Sequence, residues 1–330
     1  MNYSQSVLNG DRLALARLLT QVENDSTEGR AAMVELFPHT GRAHLIGVTG
    51  APGTGKSSLV NWLALHYRRI DDKRVAIVAV DPSSPFTGGA VLGDRVRMRD
   101  LSGDPGVFIR SMATRGSLGG LAHSTANMAQ VFDAAGFDVV IIETVGAGQS
   151  EVDVARLAHT TLVVEAPGLG DDIQAIKAGI LEIADILVVN KADRPGVENT
   201  EKALKSMLEL AHPTQRVFKH HGTYMSDSIP VDGSEIVMWI PPIQRTVSTE
   251  GRGILELADA IAKHLAHLTQ SGDWAVRERA RLEVELDALI RETLASRFRE
   301  DVPQQKYEDV LERVVQRELS PWEAVKVLIQ

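Results

Sequence analysis

The sequence predicts an α/β fold in which helices flank a mostly parallel sheet, and three observations lead to that prediction. Short apolar runs alternate along the chain with stretches of helical spacing, as expected for a parallel sheet covered on both faces. The first apolar run leads directly into a glycine-rich loop and a helix. Beyond about residue 270 the spacing is helical only. Functional loops are therefore expected at the carboxyl ends of the strands.

The individual elements follow from the same spacing. The apolar runs that predict strands lie at 44–49, 74–80, 137–142, 160–165 and 185–189. One amphipathic helix is predicted over residues 8–24, outside the sheet, because apolar residues recur on one face and Asn24-Asp25-Ser26 supplies a stop.

The loop after the first strand carries a complete phosphate-binding motif. It reads G-A-P-G-T-G-K-S and matches G-x-x-x-x-G-K-[ST] between an apolar strand and a run of helical spacing. In such loops backbone N–H groups surround the β-phosphate, the lysine reaches the β/γ oxygens and the final hydroxyl ligates Mg²⁺. The candidate nucleotide-binding residues are Gly50, Ala51, Pro52, Gly53, Thr54, Gly55, Lys56, Ser57 and Ser58. The chain is therefore predicted to be a P-loop NTPase.

The strand at 185–189 ends in Asn190-Lys191-Ala192-Asp193, an N-K-x-D match. This motif follows the strand directly, at the place where the base of a nucleotide bound by the first loop would lie. The Asp193 carboxylate can accept from both N1–H and the 2-amino group of guanine, whereas adenine offers neither donor and would leave the carboxylate unpaired. Asn190, Lys191 and Asp193 therefore predict GTP and GDP as the nucleotides.

Acidic residues at other strand ends are candidates for Mg²⁺ and for the γ-phosphate. Glu143 stands where GTPases carry the aspartate of D-x-x-G, and the Gly146 N–H could contact the γ-phosphate. Asp81 ends the second strand and Asp94 follows a glycine-rich stretch, so both are candidates for the Mg²⁺ shell or for orienting water. Either could instead be an ordinary turn carboxylate.

Two later loops complete the predicted site. Residues 165–177 combine glycines, a proline and paired acids, and Lys177 could move toward developing phosphate charge. Val247, Ser248 and Thr249 lie where a GTPase often has its last guanine loop, whose backbone N–H contacts O6. The stretch 220–242 looks like a surface insertion, and His220-His221 fits a solvated loop better than a metal site.

Composition narrows the class of protein. The chain has 35 Lys+Arg against 44 Asp+Glu, with the charges interspersed, so neither nucleic acid nor a membrane surface is an expected partner. No cysteine is present, which excludes disulfides and thiolate metal sites and fits a reducing compartment. The first residues lack a signal-peptide pattern and no apolar stretch approaches membrane-spanning length. A cytoplasmic location is therefore expected.

The C-terminal region reads as a helical arm. Apolar residues recur at spacings of three to four from Leu282 to Phe298, and Ser320-Pro321-Trp322-Glu323 is a capping box that opens a last helix. The apolar stripe could dock on its own domain or pack against a second copy, and a homodimer is the expected arrangement. The predicted regions are an N-terminal helical extension (1–42), a P-loop GTPase domain (43–270) and a dimerisation arm (271–330).

Taken together, these motifs resemble the MeaB/ArgK family of GTPases. The resemblance lies in G-A-P-G-T-G-K-S, D-P-S-S, G-D-R-V-R-M, E-T-V-G-A-G-Q-S-E, E-A-P-G-L-G-D-D-I-Q-A-I-K and N-K-A-D, and it covers roughly residues 8–330. It implies a chaperone of adenosylcobalamin-dependent methylmalonyl-CoA mutase that hydrolyses GTP slowly alone and faster with its partner. It also implies phosphate and Mg²⁺ roles for Lys56, Ser57, Asp81, Asp94 and Glu143, a hydrolytic role for Lys177, and dimerisation through the arm.

The cobalamin itself is expected on the partner. Cobalamin-binding folds that use D-x-H-x-x-G place an aspartate two residues before the histidine, whereas Arg42 precedes His44 here. Two other functions compete with the chaperone hypothesis. An ATPase or kinase accessory of arginine/ornithine transport is disfavoured by the guanine motif, and a nickel chaperone is disfavoured by the absence of cysteine and of a histidine tract.

Overall fold

The protein is described by a computed structural model over most of its 330 residues. The described ranges are 2–81, 98–101, 103–113, 120–144, 150–168, 183–211, 217–220, 223–226 and 238–329. The chain forms two compact units, residues 1–278 and residues 279–330.

Helices and strands alternate along the first unit. The strands are β1 (His44–Thr49), β2 (Val75–Asp81), β3 (Val107–Ala113), β4 (Val139–Thr144), β5 (Thr160–Glu165), β6 (Ile186–Val189), β7 (Val217–His220), β8 (Thr223–Ser226) and β9 (Ile243–Arg245). The helices of the chain are α1 (Tyr3–Leu8), α2 (Arg12–Glu23), α3 (Thr27–Leu36), α4 (Lys56–Arg69), α5 (Gly120–Ala134), α6 (Ser150–Leu157), α7 (Val197–Ala211), α8 (Ile254–Ser271), α9 (Asp273–Asp301), α10 (Gln304–Val315) and α11 (Pro321–Ile329).

The central sheet confirms the predicted α/β class. Among the described residues seven strands pair in the order β3-β2-β4-β1-β5-β6-β9, and every pairing between them is parallel. All residues of β1, β4 and β6 are buried, as expected for strands covered on both faces. Strands β7 and β8 form a separate antiparallel pair. Because the central strands are parallel, the loops after β1, β4, β5 and β6 emerge at one edge.

Successive residues of the central strands feed two hydrophobic cores. Leu45 belongs to the core under α2, α3 and α5, while Ile46 belongs to the core under α4 and α8. The same alternation runs along β4, where Val140 and Ile141 point to opposite faces. Burial of these aliphatic side chains contributes roughly 1.5–3 kcal/mol each.

The N-terminal region differs from its prediction in one respect. The helix predicted over 8–24 is confirmed as α2, but its predicted start is wrong, because α1 ends at Leu8 and α2 begins only at Arg12. Gly10 adopts φ +84°, and the Asp11 carboxylate accepts from Leu13 N at 2.8 Å and Ala14 N at 3.0 Å. The aspartate therefore caps a new helix. The predicted stop is confirmed, since Asn24 closes α2. The buried face of α2 shares its core with the sheet.

Two strands of the sheet were not predicted. Strand β3 forms one edge and β9, three residues long, forms the other. The segment before β9 is also more than a surface insertion, because Trp239 Nε1 donates to Asp185 O at 2.8 Å and Pro242 O accepts from Leu187 N. These contacts draw the end of the 220–242 stretch onto the sheet.

The described residues of the second unit lie in α9, α10 and α11 and in the short segments that join these helices. Val310 of α10 packs with Ala324 and Leu328 of α11, and Phe298 of α9 lies against this cluster. The predicted capping box is present, since Ser320 N donates to Glu323 Oε2 at 2.9 Å and Glu323 N donates to Ser320 Oγ at 3.3 Å.

The unit also carries apolar side chains that its own core does not cover. Five of them lie along α9 and are between 40% and 59% exposed. They are Val284, Leu286, Leu289, Ile290 and Leu294.

Candidate functional site

The loop between β1 and α4 is shaped by close backbone approach. Gly50 has φ +132°, and a Cβ at this position would lie 2.1 Å from Val164 O on β5. Gly55 has φ +94°, and a Cβ there would lie 2.5 Å from the Asn190 side-chain nitrogen. Both positions therefore require glycine. The loop sits against β5 on one side and Asn190 on the other.

Lys56 opens α4 and turns back over this loop. Its side chain is buried, and Nζ donates to Gly50 O at 2.6 Å and Ala51 O at 3.1 Å. The Thr54 hydroxyl donates to the same Ala51 carbonyl at 2.9 Å. These bonds hold an ammonium group inside the loop at the positively polarised N-terminus of α4, which is an arrangement suited to phosphate.

Ser57 and Glu143 meet beside the loop. Ser57 Oγ donates to Glu143 Oε1 at 2.6 Å, and Glu143 is buried near the end of β4. The pairing of β1 with β4, which places Val48 opposite Glu143, produces this proximity. A hydroxyl and a carboxylate are oxygen donors of the kind Mg²⁺ prefers. The pair therefore fits a nucleotide-bound Mg²⁺.

The remaining predicted phosphate and switch residues are only partly covered by the structure. Asp81 is the last residue of β2, one position beyond the register pair Val80–Thr144, so its backbone lies at the same sheet edge as Glu143. Asp94, Gly146 and Lys177 lie outside the described residues. Their roles remain predictions.

Asn190 joins the phosphate side of the site to the base side. Its side-chain nitrogen donates to Thr54 O at 2.8 Å in the phosphate loop. Its side-chain oxygen accepts from Ser248 N at 3.1 Å, Ser248 Oγ at 2.7 Å and Thr246 Oγ1 at 3.1 Å. Asn190 is 1% exposed, so breaking these bonds would leave buried polar groups unpaired. One amide thus ties together three segments distant in sequence.

The neighbouring residues of the N-K-x-D segment complete the base side. Lys191 adopts φ +56° and its Nζ donates to Gly53 O at 2.5 Å. Asp193 follows with an exposed side chain, accessible to a ligand. Val247 and Ser248 are buried and Thr249 is exposed in the loop that Asn190 holds. The structure therefore brings the predicted base-binding residues to the same sheet edge as the phosphate loop.

Thr246 is a site residue that sequence reasoning missed. Its N–H donates to Val189 O at 3.0 Å and its carbonyl accepts from Ala192 N at 3.0 Å, besides the side-chain bond to Asn190. The sequence signal for it is its position directly after β9, which becomes visible only when β9 is recognised as a strand.

A second buried polar cluster lies at the opposite edge, where β1, β5 and β6 begin. The Thr160 hydroxyl is 2.8 Å from His44 Nε2 and 2.9 Å from His264 Nδ1. Arg277 donates to both oxygens of Asp185, at 2.8 Å and 2.9 Å. This cluster is part of the structural core of the unit and is separate from the phosphate loop.

The cluster perturbs two titrating groups. Burial lowers the pKa of His44 to about 3, and the nearby His159 and His264 act in the same direction. Burial by itself would raise the pKa of Asp185. Hydrogen bonds from His264 and Arg277 outweigh it and hold that pKa below its usual value.

Two kinds of feature are not found among the described residues, a metal-binding cluster of side chains and a membrane-spanning helix. No group of three or more His, Asp or Glu side chains in these residues could hold a metal ion. Every helix among them falls short of the length and apolar character needed to cross a membrane.

Comparison with known proteins places this chain in a family. Residues 15–303 match the sequence model of the methylmalonyl-CoA mutase-associated GTPase MeaB. A Pyrococcus horikoshii protein that carries a GTPase name is 44% identical over 321 residues, which are 97% of this chain and 94% of that one. The GTPase ArgK of Escherichia coli is 36% identical over 267 residues, 80% of this chain and 75% of that one.

Two further relatives carry other names. The mitochondrial methylmalonic aciduria type A homologue of Caenorhabditis elegans is 32% identical over 286 residues, which are 82% of this chain and 66% of that one. The crystal structure of an LAO/AO transport system kinase shares 29% sequence identity and superposes with a TM-score of 0.67, covering 99% of this chain and 95% of that one. The resemblance stated from the motifs is thus confirmed, and the chain belongs to the MeaB family of GTPases.

Proposed function

We propose that this protein is a GTP-hydrolysing chaperone of an adenosylcobalamin-dependent methylmalonyl-CoA mutase. The observation that supports guanine as the base is the hydrogen bonding of the Asn190 side chain to Thr54 of the phosphate loop and to Ser248. Asn190 begins the segment that leads to Asp193, so these bonds hold that segment against the phosphate loop. The family description supports the mutase as partner. GTP and GDP are the proposed nucleotides, with Mg²⁺ as the accompanying ion.

The proposed chemistry uses the geometry of the phosphate loop. Residues 50–58 bind the phosphates through backbone N–H groups, and Lys56 exchanges its carbonyl partners for β/γ oxygens. Ser57 and Glu143 would hold the Mg²⁺, and the bound ion would supply positive charge that offsets the negative charge of the phosphates. A water attacks the γ-phosphorus, the bond to the β–γ bridging oxygen breaks, and GDP and phosphate are the products.

Further roles are proposed for residues around this centre. Asp81 and Asp94 orient water or the Mg²⁺ shell, and Gly146 contacts the γ-phosphate. Lys177 stabilises charge that develops during hydrolysis. The proposed switch consists of the loop after β4 together with residues 165–177, which respond to the presence of the γ-phosphate.

On the base side, Asp193 accepts from the guanine N1–H and 2-amino group. The loop of Val247, Ser248 and Thr249 contacts O6 through the Thr249 N–H, because Val247 N already donates to Arg252 O and Ser248 N to Asn190. Lys191 supports Gly53 of the phosphate loop. In this proposal one segment binds N1–H and the 2-amino group of the base, and a second segment binds O6. A site of this kind disfavours adenine because a carboxylate would lose its partners.

The proposed assembly is a homodimer formed through residues 271–330. The exposed apolar residues of α9 support it, because a helix stripe left in water favours a partner surface. The mutase, rather than this chain, holds the cobalamin in the proposed complex. The proposed setting is the cytoplasm.

Nucleotide selectivity tests the guanine assignment. Steady-state hydrolysis of GTP and of ATP should be measured with the purified chain, with Lys56→Ala as the control for contaminating activity. The proposal expects turnover of GTP well above ATP and loss of both in the variant. Equal turnover of the two nucleotides would refute the guanine pocket.

A second function competes because a solved relative is named an LAO/AO transport system kinase. In that alternative the chain would be an ATP-using accessory of arginine/ornithine transport. A preference for ATP in the same assay would favour it. A preference for GTP would contradict this alternative, because the alternative requires ATP as the nucleotide.

A further inference from the structure

We propose that Trp62 of α4 is a positioning residue for guanine selectivity, acting through the loop of residues 247–253. The inference rests on the proposed function, in which the backbone of this loop contacts guanine O6. Trp62 itself does not need to touch the nucleotide. Its ring supports the far end of the loop and thereby fixes where the loop's N–H groups point.

The loop is a short closed turn. Val247 N donates to Arg252 O at 3.0 Å, and the two residues form an isolated antiparallel bridge. Inside it, Glu250 N donates to Val247 O at 3.0 Å. Such a turn moves as a unit, so its orientation is set by what holds its two ends.

One end is held by polar contacts and the other by an aromatic ring. Ser248 donates to Asn190 through both its N–H and its hydroxyl. At the other end Gly251 adopts φ +71°, and a Cβ there would lie 2.9 Å from Cε3 and Cζ3 of Trp62. The glycine backbone therefore packs directly on the indole.

The support continues into the next helix. Gly253, with φ +79°, is the N-terminal cap of α8, and a Cβ on it would lie 2.1 Å from Arg245 O at the end of β9. Trp62 is half-buried and packs on the core shared by α4 and α8. Because α4 begins at Lys56, the same helix supplies both the phosphate-binding lysine and the base-loop support.

The geometry predicts a selective defect. Asp193 reads the 2-amino edge of guanine from a different segment, so loosening the 247–253 loop should weaken recognition at position 6 alone. The loss of one well-placed hydrogen bond to O6 corresponds to about a tenfold change in affinity.

The test compares dissociation constants for three diphosphates on the full-length chain. GDP is the reference, and inosine diphosphate lacks the 2-amino group. The third, 2,6-diaminopurine riboside diphosphate, carries an amino group in place of O6 and consequently lacks N1–H. The N1–H contribution of Asp193 is the same in the native chain and in a Trp62 variant, so a difference between the two in preference for GDP over this nucleotide reports on O6. Trp62→Leu should lower the preference for GDP over the diaminopurine nucleotide by about tenfold. The preference for GDP over inosine diphosphate should stay within about twofold of the native value.

Three further variants sharpen the test. Gly251→Ala, which pushes against the same ring, should show the same selective loss, and Trp62→Phe should restore most of the selectivity. Ile70→Ala removes a 69% exposed side chain at the end of α4 and should leave both preferences unchanged. Circular dichroism and thermal midpoints establish that each variant is folded.

The outcomes separate this inference from the proposed function. A native protein without any preference for GDP over the diaminopurine nucleotide would overturn the guanine assignment and the role of Trp62 with it. A native preference that survives in folded Trp62→Leu or Gly251→Ala would overturn the role of Trp62 alone. An equal loss of both preferences would also contradict it, since that result indicates general damage to the pocket.

Discussion

Replacing His44 with glutamine should make the stability of the protein less sensitive to mild acid. His44 is buried at the start of β1, and its Nε2 lies 2.8 Å from the Thr160 hydroxyl. Burial lowers its pKa from 6.5 to about 3, and His159, His264 and Lys73 add to the effect while Asp185 opposes it. The folded protein therefore keeps this imidazole neutral at pH values where the unfolded chain protonates it.

The sign and size follow from proton linkage. Between pH 6.5 and about 3 the unfolded state binds the extra proton, so acid favours unfolding. The free energy of unfolding falls by at most about 1.4 kcal/mol for each pH unit in this window, and by about 2 kcal/mol in total from pH 7 to pH 5. The lowered pKa of Asp185 affects stability in a more acidic range. Its stabilising contribution is present above about pH 4 and is lost only below that value.

Urea unfolding at about pH 7, 6 and 5 measures the effect. The transition can be followed by tryptophan fluorescence, because Trp62, Trp239 and Trp274 all lie in the first unit. Glutamine keeps a polar group for Thr160 but cannot titrate. The loss of stability between pH 7 and pH 5 should be smaller in His44→Gln than in the native chain by about 2 kcal/mol in total.

The matched control is His39→Gln, which removes an exposed imidazole. It should leave the native slope unchanged, because solvent surrounds that ring in both states. Equal slopes for the native protein and His44→Gln would show that His44 is not held neutral by burial, and the reasoning would fail.

Three further predictions concern the nucleotide site. Asp193→Asn should weaken GTP binding by about a hundredfold and improve the binding of xanthosine triphosphate, because the 2-carbonyl of xanthine accepts from the asparagine amide. Competitive binding assays measure both affinities, and an unchanged GTP affinity would contradict the guanine assignment. Glu143→Gln should slow hydrolysis at least tenfold and raise the Mg²⁺ concentration needed for the half-maximal rate, because a charged partner of Ser57 is lost. If the variant needs the same Mg²⁺ concentration as the native chain, the Glu143 carboxylate does not bind the metal ion. Lys177→Ala should blunt partner-stimulated hydrolysis more than GTP affinity, and equal stimulation in variant and native protein would remove this lysine from the hydrolytic machinery.

Much of the fold follows from local sequence patterns. The strand predicted at 44–49 is β1 to the residue, and the other four predicted strands lie within two residues of their observed starts and ends. Each is a continuous apolar run that fills two cores at once, which leaves a strong local signal. The phosphate loop is equally readable, because close backbone approach at Gly50 and Gly55 leaves room only for glycine.

The parts that were missed depend on tertiary contacts. Strand β3 lies at a sheet edge and places the charged Arg110 within it, paired with Glu23 of α2. Strand β9 spans only three residues and is defined by its pairing with β6. Neither offers a long apolar run, so sequence periodicity does not reveal them.

The candidate site shows the same division. The motifs name Asn190 and Ser57 as nucleotide-site residues, but they do not reveal that Asn190 binds Thr54, Thr246 and Ser248 together. The start of the N-terminal helix was missed for a related reason. Apolar spacing continues across residues 8–24, while the break depends on Gly10 and the capping carboxylate of Asp11.

The proposed function requires that GTP hydrolysis by this chain be coupled to a mutase partner. The most direct test is the steady-state rate of GTP hydrolysis with and without purified adenosylcobalamin-dependent methylmalonyl-CoA mutase, with ATP as the control nucleotide. We expect a slow, GTP-specific basal rate that rises severalfold when the mutase is added. A rate that the mutase leaves unchanged, or one that favours ATP, would contradict it.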